Sequence, residues 1–271
     1  MIEKINKFIE EFTRMDIHGI IIPCPYWMNK LVDGKVKRTQ SLRFGHKPKQ
    51  GSGARNPEPN AIHPTGLPPL WYSGSWVKIR GLLNGKGDAR QIREEMIKRI
   101  NKLPTNTIWQ DSQFLQKLAK RERIGLDCSG FAFHFLNELV QLKYRNCQLS
   151  NLSQIFTGGL NRTNADTLTS LDYCASVPKI SGCRLGDLIR MMRGKHVLVV
   201  VDIADSTLTY AHSARTTKEQ GVHLGIIKII DKNGGLEKQE WLEQTRKEEN
   251  FGKKHFHPER GDGVFRLKIF V

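Results

Sequence analysis

Residues 131–140, Phe131-Ala132-Phe133-His134-Phe135-Leu136-Asn137-Glu138-Leu139-Val140, constrain the fold of this chain more than any other stretch. Phe131, Phe135 and Leu139 recur at i, i+4 and i+8, with Ala132, Leu136 and Val140 beside them, which is helical spacing. A helix this apolar has to be buried, so other elements must cover it. The cover is available downstream. Asp187–Met191, His196–Ile203, Thr207–Ala214 and Val222–Ile230 read as strands, and Val197-Leu198-Val199-Val200-Val201 is apolar without a break. Helices come first and strands later, which predicts an α+β fold with the helix packed on an antiparallel sheet.

The helix is preceded by Asp127-Cys128-Ser129-Gly130. A thiol at a helix start meets partial positive charge and unpaired N–H groups, which lower its pKa and can hold an oxyanion. Cys128 is therefore the candidate nucleophile, with Asp127 and Ser129 as supporting residues. A small buried core cysteine is the plainer alternative. The other cysteines, Cys24, Cys147, Cys174 and Cys183, are widely spaced and include no Cys-x-x-Cys, so neither a structural zinc site nor a disulfide scaffold is indicated.

A thiol nucleophile needs a base, and the base needs an orienting partner. His134 lies six positions along the helix, about 240° round it, and faces away from Cys128. His18, His46, His63, His223, His255 and His257 read as ordinary surface or strand residues. His196 opens the apolar strand and is the expected base; His212, in the next strand, is its expected orienting partner. A hairpin loop centred on Ala204 sets the two histidines opposite each other on one face, whereas a two-residue loop puts them on opposite faces. Cys128, His196 and His212 could also hold zinc, but a cysteine opening a helix fits a nucleophile better. No metal or organic cofactor is expected.

Lys+Arg 43 against Asp+Glu 27 gives a net charge of +16, which suggests an anionic partner such as an anionic polymer. The basic residues are dispersed. A solvated basic surface accounts for them better than a nucleic-acid site, although charge alone does not exclude one. Residues 1–13 alternate charged and apolar residues, so they read as an amphipathic helix and not as a leader. Ile20-Ile21-Ile22 is too short to span a membrane. The expectation is a protein that acts in the cytoplasm or is released without a conventional leader. Three parts are expected: residues 1–29, with the helix and Pro25-Tyr26; an insertion over 30–120, irregular and Gly/Pro-rich before turning helical; and a catalytic core over 121–271. Further helices are expected over Asp88–Ile100, Asp111–Arg121 and Leu236–Thr245, and a closing strand over residues 263–270.

Asp127-Cys128-Ser129-Gly130-Phe131, then Gly186-Asp187-Leu188, then His196-Val197, then His212 within Tyr210-Ala211-His212-Ser213, resemble in order and spacing the NlpC family of papain-like cysteine peptidases. The resemblance covers roughly residues 124–214. It implies a papain-like core, a Cys128–His196–His212 triad and hydrolysis of peptide stems of bacterial peptidoglycan. It also implies that Tyr26, in Pro25-Tyr26-Trp27, lies beside the nucleophile, although here that element stands about a hundred residues upstream. Met28-Asn29 follow it in place of the family's glycines. An amidase or acyltransferase on a small substrate would share this triad, and a basic binding protein could use the same cleft without catalysis.

Overall fold

The computed structural model describes residues 1–28, 31–32, 35–36, 85–104, 111–144, 151–156 and 158–271. The expected irregular insertion over 30–75, with His46 and His63, lies outside the described residues, as does Cys147, except for the two-residue strands β3 (Leu31–Val32) and β4 (Lys35–Val36).

The chain begins with helix α1, Ile2–Thr13, whose Ile5, Ile9 and Phe12 are buried. The short strands β1 (Met15–Ile17) and β2 (Ile20–Ile22) pair antiparallel. Helix α2, Ala89–Ile100, starts at Asp88, whose side chain accepts from Gln91 N–H while the Gln91 side chain accepts from the Asp88 N–H. This reciprocal cap satisfies two end groups at once. Helix α3, Ser112–Glu122, is capped by Asp111. Helix α4, Cys128–Lys143, is the apolar helix, buried at Phe131, Phe135, Leu136, Leu139 and Val140. Two one-turn helices follow, α5 (Gly159–Arg162) and α6 (Ala165–Leu168).

The rest of the chain forms a seven-stranded antiparallel sheet in the order β10-β9-β8-β7-β6-β11-β5. Its strands are β5 (Cys174–Val177), β6 (Leu188–Met191), β7 (His196–Ile203), β8 (Thr207–Ala214), β9 (Gly221–Lys228), β10 (Glu240–Trp241) and β11 (Gly263–Leu267). The architecture is α+β. Alternate residues of the central strands serve two cores. Val197, Val199 and Ala211 face the helices, where Phe131 meets Phe12 edge-on at 5.5 Å. Leu198, Val200 and Tyr210 join Trp241 and Phe251 on the other face. Helix α7, Phe251–His255, closes that side.

The helix expected over Leu236–Thr245 does not form. A single turn at Leu236–Lys238 leads into β10, which pairs Glu240 with Lys228 and Trp241 with Ile227. Burying Trp241 against the sheet and turning Glu243 inward require extended backbone, and these tertiary contacts override the weak helical pattern. The C-terminal residues form β11, which is inserted between β6 and β5. Gly186 takes φ +89° in the turn ahead of β6. The neighbouring Asp187 accepts two 2.8 Å bonds from the Arg266 guanidinium, and so ties that turn to β11.

Candidate functional site

Asp127 is the N-cap of α4: its Oδ1 accepts from Gly130 N–H at 2.6 Å. The same oxygen accepts from Ser129 Oγ at 3.0 Å and from Lys86 Nζ at 2.9 Å. Lys86 also donates to Ser129 Oγ at 2.5 Å and to the Thr163 carbonyl at 3.1 Å, so all three ammonium protons are used. This buried ion pair fixes the start of the helix. Gly130 is required there, because a Cβ would lie 2.5 Å from the Gly85 carbonyl and 2.8 Å from Leu126 Cδ1.

The segment leading to Cys128 is held from two directions. Leu126 N–H donates to the Pro25 carbonyl at 2.8 Å, and Trp27 N–H donates to the Leu126 carbonyl at 3.3 Å. Ser213 Oγ, on β8, donates to that same carbonyl at 2.6 Å. Tyr26 thus runs alongside Leu126 despite the hundred residues between them, close enough for Cys128 and Asp127 to raise its phenol pKa after burial has done so. Its hydroxyl donates to Met28 Sδ at 3.4 Å.

Cys128 is 6% exposed. The N–H groups of Val197, one residue beyond His196, and of Ser129 lie near enough to the thiol to favour its ionised form. The helix start therefore reaches the beginning of β7. The sequence led us to expect a depressed thiol pKa. Instead, burial and then Asp127 push the thiol up to about 12, against the opposing pull of the Val197 N–H, Lys86 and the Ser129 N–H. The desolvation of a buried anion outweighs the helix end. Cys128 rests as a neutral thiol.

His196 Nε2 lies 2.8 Å from His212 Nδ1. The register that joins them differs from both hairpins considered from the sequence. The loop is tight, with Ala204 N–H donating to the Thr207 carbonyl around Asp205-Ser206. Ile203 faces Leu208 and Asp202 faces Thr209, a register that would separate the histidines. A bulge between Val200 and Asp202 then shifts the pairing to Val200–Tyr210 and Val199–Ala211. Counted back from there, Leu198 faces His212, and His196 is its diagonal neighbour on the same face. Before His196, three successive residues have positive φ: Met192 (54°), Arg193 (60°) and Gly194 (77°). The Asp262 carboxylate, accepting from Arg193 N–H at 2.8 Å, and the His255 carbonyl, accepting from Met192 N–H at 3.0 Å, hold that turn.

Behind His212 the chain supplies groups that the sequence did not flag. His212 Nε2 lies 3.1 Å from Glu243 Oε1 and 3.0 Å from His223 Nε2, and His223 Nε2 lies 2.7 Å from the same Glu243 oxygen. From the sequence alone, His223 is an ordinary strand residue. Its pairing opposite His212 across β8 and β9 brings it into the cluster. Glu243 fell inside the expected helix and carried no motif. Only a spacing argument with the correct β8–β9 register could have found His223, and nothing local signals Glu243. Tyr210 donates its hydroxyl to Glu243 Oε2. Burial acts to raise the Glu243 carboxyl, but the hydrogen bonds and charge of His212 and His223 outweigh it and hold the group well below the usual carboxylate range. His196 is driven well below its ordinary 6.5, by burial first and His212 next; His212 is lowered too, by burial first. Among the described residues, His212, His223 and Glu243 are the group arranged to hold a metal ion; the set Cys128, His196 and His212 considered from the sequence is not.

His134 accounts for itself by hydrogen-bonding the Lys86 carbonyl at 3.0 Å. Cys174 and Cys183 carry free, buried thiols. No helix among the described residues is long and apolar enough to cross a membrane. No family model, curated protein or solved structure matches the chain.

Proposed function

We propose that this protein is a thiol hydrolase of the NlpC-like, papain-like kind, cleaving an amide bond with Cys128 as nucleophile, His196 as base and His212 as the orienting residue. One observation carries the reading: the thiol at a helix start lies near the Val197 N–H, and His196, next to Val197 in the chain, is hydrogen-bonded to His212 and through it to Glu243. The ionised Glu243 accepts from the Tyr210 hydroxyl and from His212 Nε2–H. His212 Nδ1 then accepts from His196 Nε2–H, which leaves the proton off His196 Nδ1. Among the described residues that nitrogen has no hydrogen-bond partner.

Thiol and imidazole are both neutral at rest, so no preformed ion pair is used. Proton transfer from Cys128 Sγ to His196 Nδ1 accompanies attack on the carbonyl carbon. The imidazolium returns the proton to the amine as the C–N bond breaks, and water then releases the acyl group. Backbone N–H groups at the start of α4 and the phenol of Tyr26 are the candidate donors to the oxyanion. The resemblance favours peptide stems of peptidoglycan as substrate, and the +16 charge suits an anionic polymer. One observation favours the non-catalytic binding reading: a thiol pushed up to about 12 is a poor nucleophile without its base.

The deciding experiment is incubation of wild type and Cys128→Ala with muropeptides, followed by mass spectrometry of products and of the protein. Cleavage with an acyl adduct on Cys128, absent in the variant, is expected. Equal cleavage by the variant sinks the mechanism. No cleavage together with saturable muropeptide binding favours the binding protein.

A further inference from the structure

We propose that His212, His223 and Glu243 form a binding site for a divalent transition-metal ion, behind the histidine pair and on the far side of His212 from Cys128. The three candidate donor atoms, His212 Nε2, His223 Nε2 and Glu243 Oε1, stand 3.0, 2.7 and 3.1 Å apart pairwise. Ligand bonds of about 2.1 Å at right angles would set neighbouring donors about 3.0 Å apart, whereas a tetrahedral ion would need roughly 3.4 Å. The triangle therefore fits one face of a five- or six-coordinate ion, and two imidazoles with one carboxylate suit iron(II), cobalt(II), nickel(II) or zinc(II).

Each donor residue also has an outer partner that holds it for this purpose. His223 Nδ1 lies 3.0 Å from the Gly221 carbonyl, which takes its proton and turns Nε2 inward. Tyr210 donates to Glu243 Oε2, leaving Oε1 for the centre. His212 Nδ1 meets His196 Nε2 at 2.8 Å. Carbonyl, hydroxyl and imidazole partners of this sort are what orient metal ligands. Protons alone satisfy the centre poorly: with its proton on Nδ1, a neutral His223 turns the lone pair of Nε2 onto the Glu243 oxygen 2.7 Å away. A cation accepts all three lone pairs.

Occupancy has a consequence for the hydrolase reading, on which this step alone rests. With His212 Nε2 bound to metal, its proton sits on Nδ1 and is donated to His196 Nε2. The neutral His196 then carries its proton on Nδ1, and that nitrogen cannot take the Cys128 proton. The metal-loaded form is a resting form, and removing the ion restores the base.

The test uses the full chain carrying Cys128→Ala, so that neither hydrolysis nor the thiol contributes. The chelator-stripped protein is titrated with Co²⁺ by absorption and with Zn²⁺ by calorimetry. One ion per chain is expected. Glu243→Gln and His223→Gln should each weaken binding by more than about 100-fold, and Tyr210→Phe, which removes only an outer partner, by about 10- to 100-fold. His18→Ala, at a turn away from the cluster, should bind as the parent does. Nitrogen-15 spectra should shift at Nε2 of His212 and His223, with His196 Nδ1 converted to N–H. Circular dichroism establishes that each variant folds, and the two ligand substitutions back each other up if one does not. No saturable binding, or binding that survives both substitutions as an adventitious surface ion would, overturns the site. Metal binding without the His196 change overturns only the resting-form step. Neither result bears on whether the muropeptide experiment succeeds.

Discussion

Two buried polar knots flank the candidate nucleophile, and they are built differently. The front knot gathers Asp127, Ser129 and Gly130 from four consecutive positions and adds two distant residues, Lys86 and Thr163. The rear knot takes His196, His212, His223 and Glu243 from β7, β8, β9 and the segment after β10. The front is a local cap reinforced by charge, and one strand-free turn of backbone fixes it. The rear exists only when three strand registers and a bulge are all correct. A local motif is enough to place the candidate nucleophile; the candidate base and its supports need the assembled sheet.

Breaking the front knot at its reactive atom should have the largest effect. Cys128→Ala is expected to lower kcat by roughly 10³-fold or more, with an unchanged circular dichroism spectrum, since losing the nucleophile of such a unit leaves only binding and oxyanion contributions. At the rear, Glu243→Gln keeps the shape but removes the charge that sets the His212 tautomer. A fall in kcat of roughly 10²-fold with little change in KM is expected. A purely structural Glu243 would instead lower thermal stability and leave kcat of the folded fraction intact. Lys86→Met leaves the Asp127 carboxylate buried without its partner, and should cost about 3–5 kcal/mol in urea unfolding. If the loss is below about 1 kcal/mol, the ion pair is not what holds the front.

The pH dependence of stability separates the two knots by sign. His196 and His212 have folded-state values below 6.5, so between those values and 6.5 the unfolded chain binds more protons, and stability falls as pH drops below about 6.5. Glu243, also depressed, adds a further loss below its ordinary 4.5. Cys128 is raised from 9.0 to about 12, so the unfolded chain loses its thiol proton first and stability falls above pH 9.0. Urea midpoints should therefore form a plateau between about 6.5 and 9. A midpoint that keeps rising down to pH 5 contradicts the buried neutral histidines. The smallest effect is expected at the join between the knots. Ser213→Ala removes the bond to the Leu126 carbonyl, which still accepts from Trp27, and should cost about 1 kcal/mol.

Much of the front was legible. Apolar spacing marked α4 and set its start at Cys128, and the unbroken run from Val197 marked a buried strand; that Asp127 caps the helix came from the structure. The two histidines that meet were singled out, but their route to one face was not. The sequence allowed a wide loop centred on Ala204, and the molecule uses a tight loop plus a bulge at Val201 instead. A bulge inserts one residue without any composition signature, so periodicity cannot locate it. The segment after residue 235 departs from its helical pattern because Trp241 and Glu243 take their conformation from what they touch.

By itself, the sequence determined a buried helix opening on Cys128, a strand-rich second half and the candidates His196 and His212, because those follow from periodicity within a few residues. Only the tertiary structure decided that Lys86 neutralises Asp127, that Tyr26 lies beside Leu126, that burial keeps the thiol protonated, and that Glu243 and His223 stand behind His212. Those are properties of desolvation and of contacts between residues far apart in the chain, and no local pattern carries them.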